Sequence, residues 1–236
     1  VKDADLVART RLTSVVGLQE MLDKSAPYDI FELAPGEYEL PHGVTLPLHP
    51  VMLCAAEPYA VIRSQATPAV FMLVDGQTGQ TMFRNLSVRL DARSGFQAAF
   101  WCGGNLPWSG TSASASFRNV YVRMPQPGTE CFGWHLYRWN GVGVDLAGCT
   151  VNAAGATWAI GVYGYDPPPL RFRGCSFLNF PTNRLSASSC GVYLETSFQN
   201  FGGATNTVAV SLSDTLFDAS FTNALPLARI ERGTNF

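Results

Sequence analysis

Phe83-Arg84-Asn85-Leu86-Ser87-Val88 recurs with its character intact as Phe117-Arg118-Asn119-Val120-Tyr121-Val122, Leu146-Ala147-Gly148-Cys149-Thr150-Val151, Phe172-Arg173-Gly174-Cys175-Ser176-Phe177 and Leu212-Ser213-Asp214-Thr215-Leu216-Phe217. The third residues fall at 85, 119, 148, 174 and 214, so the steps are 34, 29, 26 and 40 residues. Such a period belongs to proteins that stack coil on coil with loops of variable length. Asn85, Asn119, Gly148, Gly174 and Asp214 are of the types that best tolerate left-handed backbone, which predicts a ladder of sharp bends, each followed by a short strand. Beyond the bend, Leu86/Val88, Val120/Val122, Cys149/Val151, Cys175/Phe177 and Thr215/Phe217 alternate with Ser87, Tyr121, Thr150, Ser176 and Leu216. The first set is the predicted core face and the second the predicted solvated face. The next outward row, Arg89, Arg123, Asn152, Leu178 and Asp218, is mostly polar.

A second repeat runs in phase with the first: Phe100-Trp101-Cys102, Trp134-His135-Leu136, Val162-Tyr163-Gly164 and Val192-Tyr193-Leu194, with Val70-Phe71-Met72-Leu73 and Leu227-Ala228-Arg229-Ile230 as looser members. Each coil therefore supplies at least two strands, with a third expected in the less regular stretches. Equivalent strands are separated by a whole coil, so they run parallel at a spacing of about 4.8 Å. Aligning this repeat places Trp101, His135, Tyr163 and Tyr193 at one outward position and Gly103, Tyr137, Tyr165 and Glu195 two residues later. Such a row suits flat contact with sugar rings or burial against another subunit, and a one-residue slip would turn it inward. All three readings stay open at this point.

Charged residues make up 14% of the 236-residue chain, against roughly 25% in an average soluble protein, so polar uncharged side chains must supply the surface. The net charge of −2 and the lack of a basic cluster imply neither nucleic acid nor an anionic membrane as partner. No stretch approaches the length of a membrane span. Val15, Val16, Leu18, Met21 and Leu22 have helical spacing, Ser14 is a candidate N-cap and Pro27 blocks continuation, which predicts one amphipathic helix over residues 15–24. The expected organisation is an N-terminal segment with this capping helix over 1–27 and a single repeat domain over 28–236. The helix would cover the open end, where strand edges are otherwise unpaired.

Leu18-Gln19-Glu20-Met21-Leu22, followed by Tyr28-Asp29-Ile30-Phe31-Glu32-Leu33-Ala34-Pro35-Gly36-Glu37-Tyr38-Glu39-Leu40, resembles the entry to right-handed parallel β-helix proteins of the pectate-lyase-like superfamily. In that superfamily a capping helix leads into a strand and a Pro-Gly-x-Tyr turn. The Phe-Arg-Asn bends at Asn85 and Asn119 are likewise similar to its asparagine ladders. The resemblance implies an all-β solenoid and marks a fold rather than an activity. The superfamily holds pectin-degrading enzymes, other polysaccharide lyases and hydrolases, surface adhesins, and trimeric bacteriophage spikes and fibres.

Site residues do not point to catalysis. Glycoside hydrolysis needs carboxylates roughly 5 to 9.5 Å apart, and Asp91, Glu130, Asp145, Asp166 and Glu195 are scattered singly through the repeat. Ser213-Asp214-Thr215-Leu216 echoes the Gln-Asp-Thr-Leu signature of pectin methylesterases, but Asp214 occupies the bend position. Lysine occurs only at Lys2 and Lys24, and no His/Cys/carboxylate cluster has metal-ligand spacing. No catalytic residue, metal or cofactor is therefore assigned. Six cysteines do not make a disulfide framework; Cys149 and Cys175 are read as an unbonded core pair one coil apart. Trp108 in the loop after Gly103, and Phe198 and Phe201 in the loop after Ser197, are read either as apolar anchors of binding loops or as parts of tolerated, disordered insertions.

These observations favour a non-catalytic structural or receptor-engaging virion component: a phage tail spike, tail fibre or head decoration protein. Self-association as a homotrimer through the aromatic row is expected, with other virion proteins or a cell-surface glycan as further partners. A polysaccharide-degrading lyase or hydrolase and a carbohydrate-binding adhesin are the alternatives. Val1-Lys2-Asp3-Ala4-Asp5 shows no apolar leader. Read as a native start it implies synthesis in a host cytoplasm and a virion location; an extracellular location is the alternative.

Overall fold

Each coil contributes three strands, one to each of three all-parallel sheets, and the chain forms a right-handed parallel β-helix. The structure, a computed structural model, describes residues 8–56, 60–74, 76–91, 96–103, 114–124, 130–137, 143–152, 158–163, 170–178, 190–196, 210–217 and 228–232. The first sheet stacks eight strands, from Arg9–Leu12 and Ile30–Leu33 through Gln80–Arg84, Ser114–Arg118 and Gly143–Ala147 to Val210–Ser213. The second stacks seven, from Gly36–Glu39 through Leu86–Leu90 and Tyr121–Arg123 to Leu216–Phe217. The third also stacks seven, from Val44–Thr45 through Ala69–Leu73, Phe96–Gly103 and Glu130–Tyr137 to Ala228–Arg232.

The corner between the first and second sheets is set by backbone conformation. There φ is +55° at Asn85, +52° at Asn119, +62° at Gly148, +58° at Gly174 and +48° at Asp214. Each of the first four donates its N–H to a carbonyl of the next coil, Asn85 to Arg118 at 3.0 Å and Gly148 to Arg173 at 2.8 Å among them. Asn119 Nδ2 also donates to Asn85 Oδ1 at 3.2 Å. Leu86, Val88, Val120, Val122, Cys149, Val151 and Cys175 follow the bends into the core, while Ser87, Tyr121, Thr150 and Ser176 stay partly exposed. The lumen is filled by facing columns of rings. Phe83 and Phe117 stack at 5.2 Å, Phe100 and Trp134 at 5.6 Å, and Phe100 meets Phe117 edge-on at 4.7 Å. Cys54, Cys102, Cys131, Cys149 and Cys175 are free thiols and buried. Burial raises the Cys149 thiol pKa, whereas interaction with the Cys149 side chain lowers that of Cys175; the Cys149 thiol donates to the Phe117 carbonyl at 3.4 Å.

The entry departs from the sequence reading. The helix is Leu18–Asp23 rather than 15–24, because Gly17 at φ +74° stands in front of it and no side chain caps it. Ser14 Oγ instead accepts the N–H of Val16 at 3.0 Å, a local turn that holds Val15 and Val16 outside the helix. Leu18 and Leu22 are fully buried in the main core. Ahead of the helix, Arg9–Leu12 pairs in parallel with Ile30–Leu33, so the first sheet begins before the cap. Gln19 covers the edge of the third sheet: its Nε2 donates to the Thr45 carbonyl at 3.0 Å and its Oε1 accepts the Thr45 N–H at 2.8 Å. One side-chain amide thus takes the place of the missing neighbouring strand.

Candidate functional site: the outer face of the third sheet

The strands Ala69–Leu73 and Phe96–Gly103 of the third sheet, and Glu130–Tyr137 beyond its first residue, are largely apolar on both faces, and a break in alternation explains how. Phe71/Leu73, Phe100/Cys102 and Trp134/Leu136 face the lumen, so Met72, Trp101 and His135 between them face out. Strict alternation would send Ala69, Ala98 and Phe132 outward only if one residue were added, and one is. Val70 and Ala99 lie in the main core beside Phe71 and Phe100, while Ala69, Ala98 and Phe132 form a separate cluster with Met72, Phe96 and Trp101. The ladder pairs Ala98 with Ala69 and Phe132, skips one position, and resumes at Phe100. Two consecutive inward residues at the same place in successive coils mark a bend shared by the stacked strands, with the register kept one to one across it.

The bend gathers rings on the outside of the tube. The His135 ring lies 4.7 Å from Trp101, 4.7 Å from Phe132 and 5.0 Å from Phe96, and Phe96 meets Trp101 at 5.6 Å. His135 is only 5% exposed although it faces outward. Burial pushes its pKa down to about 3, so the imidazole is neutral at ordinary pH and too weak a base for proton abstraction there. It acts as a packed ring.

The register corrects the aromatic row. Met72, Trp101, His135, Gly161, Tyr193 and Arg229 occupy one file, and Gly103, Tyr137, Tyr163, Glu195 and Glu231 the next. Tyr163 therefore belongs with Tyr137 rather than with His135. Ile160-Gly161-Val162 and Val162-Tyr163-Gly164 fit the apolar pattern almost equally, and a slip of two residues leaves every side chain on its face. Tyr165, Trp108, Phe198 and Phe201 lie outside the described residues.

The acids fall into two groups. Asp91 accepts from Arg63 at 3.0 Å and Arg89 at 2.8 Å, and Asp145 stands 3.7 Å from Arg171. These carboxylates are engaged in ion pairs. Glu195 and Glu231 are direct neighbours in register on consecutive strands, acids one coil apart that come together only through the stacking of coils. Asp166 lies outside the described residues, and Glu130 is placed only as the start of its strand, opposite Phe96. Among the described residues no group of three or more His, Cys, Asp or Glu converges as metal ligands would.

Phe96, Phe132 and Met72 were missed in the sequence, although the runs Ala69-Val70-Phe71-Met72-Leu73 and Ala98-Ala99-Phe100-Trp101-Cys102 carry the signal. An unbroken apolar run cannot belong to a strand with one wet face.

Among solved structures the chain is similar to a mutant of the PL6-family alginate lyase AlyGC, with a TM-score of 0.53 and 12% identity. The likeness covers 96% of this chain but 39% of that protein, and at this identity it speaks to the fold. No family model and no curated protein matches the chain.

Proposed function

We propose that the outer face of the third sheet engages carbohydrate without cleaving it, as the contact surface of a receptor-binding β-helix. The observation that carries this is the half-buried pair Phe96 and Trp101 outside the lumen, held from beneath by the buried rings of Phe132 and His135, with Tyr137, Tyr163 and Tyr193 following in register. A sugar ring stacks on such a surface through its C–H face, and the cost of ordering the rings is already met by their mutual packing. The likeness in fold to an alginate lyase supports a polysaccharide partner. Affinity electrophoresis against neutral polysaccharides tests the reading. Trp101→Ala is expected to weaken binding at least about tenfold while the melting temperature is nearly kept; binding unaltered by this change removes the surface from consideration.

Two competing outcomes are built into the same samples. The in-register pair Glu195 and Glu231 favours a polysaccharide-degrading enzyme, since two adjacent carboxylates are what acid–base cleavage requires. Release of unsaturated or reducing ends, lost in Glu195→Gln, would establish it. The ring cluster on an outer face also suits burial between protomers of a homotrimeric virion spike, fibre or head decoration protein. Light scattering at micromolar concentration decides this: a trimer supports that assembly and a monomer ends it.

A further inference from the structure

Arg84, Arg118 and Arg173 are the last strand residues before the bend in their coils, and all three are exposed. The register runs Arg84, Arg118, Ala147, Arg173, so they stand in one file on the first sheet. Arg9 pairs with Glu32 and Arg171 with Asp145, while Arg63 and Arg89 share the single carboxylate of Asp91. Among the described residues no carboxylate pairs with Arg84, Arg118 or Arg173. Arg84 and Arg118 are directly opposite each other on adjacent strands, where like charges repel unless an anion lies between them.

Across the bend from this file, a shallow groove of about 300 Å³ is lined by Val61, Ser87, Asn119, Tyr121, Gly148 and Thr150. It opens where the asparagine ladder stops. A Cβ on Gly148 would come 2.6 Å from Asn119 Oδ1, so only glycine leaves this space clear. The Tyr121 hydroxyl accepts a hydrogen bond from Asn152 Nδ2 at 3.1 Å, which orients the ring, and no acidic residue lines the groove. Glu32, paired with Arg9, lies in the same file two strands before Arg84; Asp145, paired with Arg171, lies in the file two residues earlier, and exposed Asp214 follows beyond Arg173.

We propose that this corner is a second binding site, for a linear carboxylated polysaccharide lying along the solenoid axis. The guanidinium fork matches a carboxylate in two parallel hydrogen bonds. Ser87, Thr150 and Asn119 offer hydroxyl and amide partners for sugar hydroxyls, and Tyr121 offers a ring edge. Arg84 and Arg173 are three strand steps apart, about 14 Å, so the occupant spans several sugars along the stack. A neutral glucan would leave the arginine file unanswered.

Titration of the full chain carrying Trp101→Ala, which removes the third-sheet surface, with sodium alginate, neutral dextran and single-stranded DNA tests the site. Alginate is expected to bind, more weakly as salt rises, and dextran is not. Arg84→Gln combined with Arg118→Gln is expected to weaken alginate binding at least about tenfold, and Arg171→Gln, at an arginine already paired, to leave it unchanged. Gly148→Asn keeps every charge, extends the ladder into the groove, and is expected to weaken binding too; it decides the matter if the double variant fails to fold. Alginate binding should persist in Trp101→Ala, which separates this site from the third-sheet surface. The proposal is overturned by equal binding of dextran, by wild-type affinity in the arginine variants, or by DNA binding with the same arginine dependence.

Discussion

At Gly148 and Gly174 the same left-handed bend is made in two different surroundings. A Cβ at Gly174 meets nothing within 4 Å, whereas one at Gly148 meets the Asn119 amide. Gly174→Ala is therefore expected to cost only the left-handed penalty, about 1 kcal/mol, and Gly148→Ala about 2–3 kcal/mol because Asn119 must also move. Gly174→Asn should be close to neutral. Urea denaturation reads all three, and equal losses for the two alanines would show that Asn119 exerts no constraint. His135 provides a residue-scale prediction in pH. Its pKa is near 3 folded and 6.5 unfolded, so between these values the unfolded chain binds the extra proton. Stability is unaffected above about pH 6.5 and falls as pH drops toward 3, by up to roughly 4–5 kcal/mol from this group. His135→Gln should flatten that part of the profile. The bends were legible in the sequence because a positive φ restricts residue type locally. The burial of His135 was not, since Phe96 and Phe132 reach it from beyond a phase break and from another coil.

The capping helix and the third sheet meet through one amide. Gln19 makes two hydrogen bonds with the backbone of Thr45, on the short edge strand Val44–Thr45. Gln19→Ala would leave a part-buried N–H and C=O without partners, at a cost of about 1–3 kcal/mol. Gln19→Glu keeps the acceptor for the Thr45 N–H but sets a carboxylate against the Thr45 carbonyl and the Asp23 carboxylate, both of which the Gln19 Nε2 now donates to, so it should not rescue the edge. Hydrogen exchange at Thr45 is the direct measurement, and protection unaltered in Gln19→Ala would remove the edge role. The helix itself was visible in the spacing of Leu18 and Leu22, but its start was misplaced because Gly17 adopts a left-handed conformation ahead of it. Outward and inward positions in the second sheet followed directly from period two. In the third sheet the same rule failed at Ala99, where one added inward residue reverses the phase.

Across the whole molecule each coil touches chiefly its two neighbours, so a defect should spread by nearest-neighbour coupling. The aromatic columns concentrate that coupling: Phe117 stacks on Phe83 at 5.2 Å and meets Phe100 at 4.7 Å and Trp134 at 5.5 Å. The repeat that revealed the fold placed Phe83 and Phe117 in equivalent positions, but the opposing column came from a different strand and needed the closed cross-section to be seen. Phe117→Ala is expected to destabilise the protein by about 3–5 kcal/mol through lost contacts and a central cavity. The pattern of loss is the sharper expectation. Amides of Gln80–Arg84 and Gly143–Ala147, which flank Ser114–Arg118 in the first sheet, should lose protection first. Ile30–Leu33 lies two strands from Gln80–Arg84, joined to it through Met52–Ala55, and shares its core with the helix residues Leu18 and Leu22. Its amides should stay protected at denaturant concentrations that expose the centre. Simultaneous loss in all strands would instead mean that the coils unfold as one cooperative unit, because interface terms between coils then outweigh any single coil's deficit.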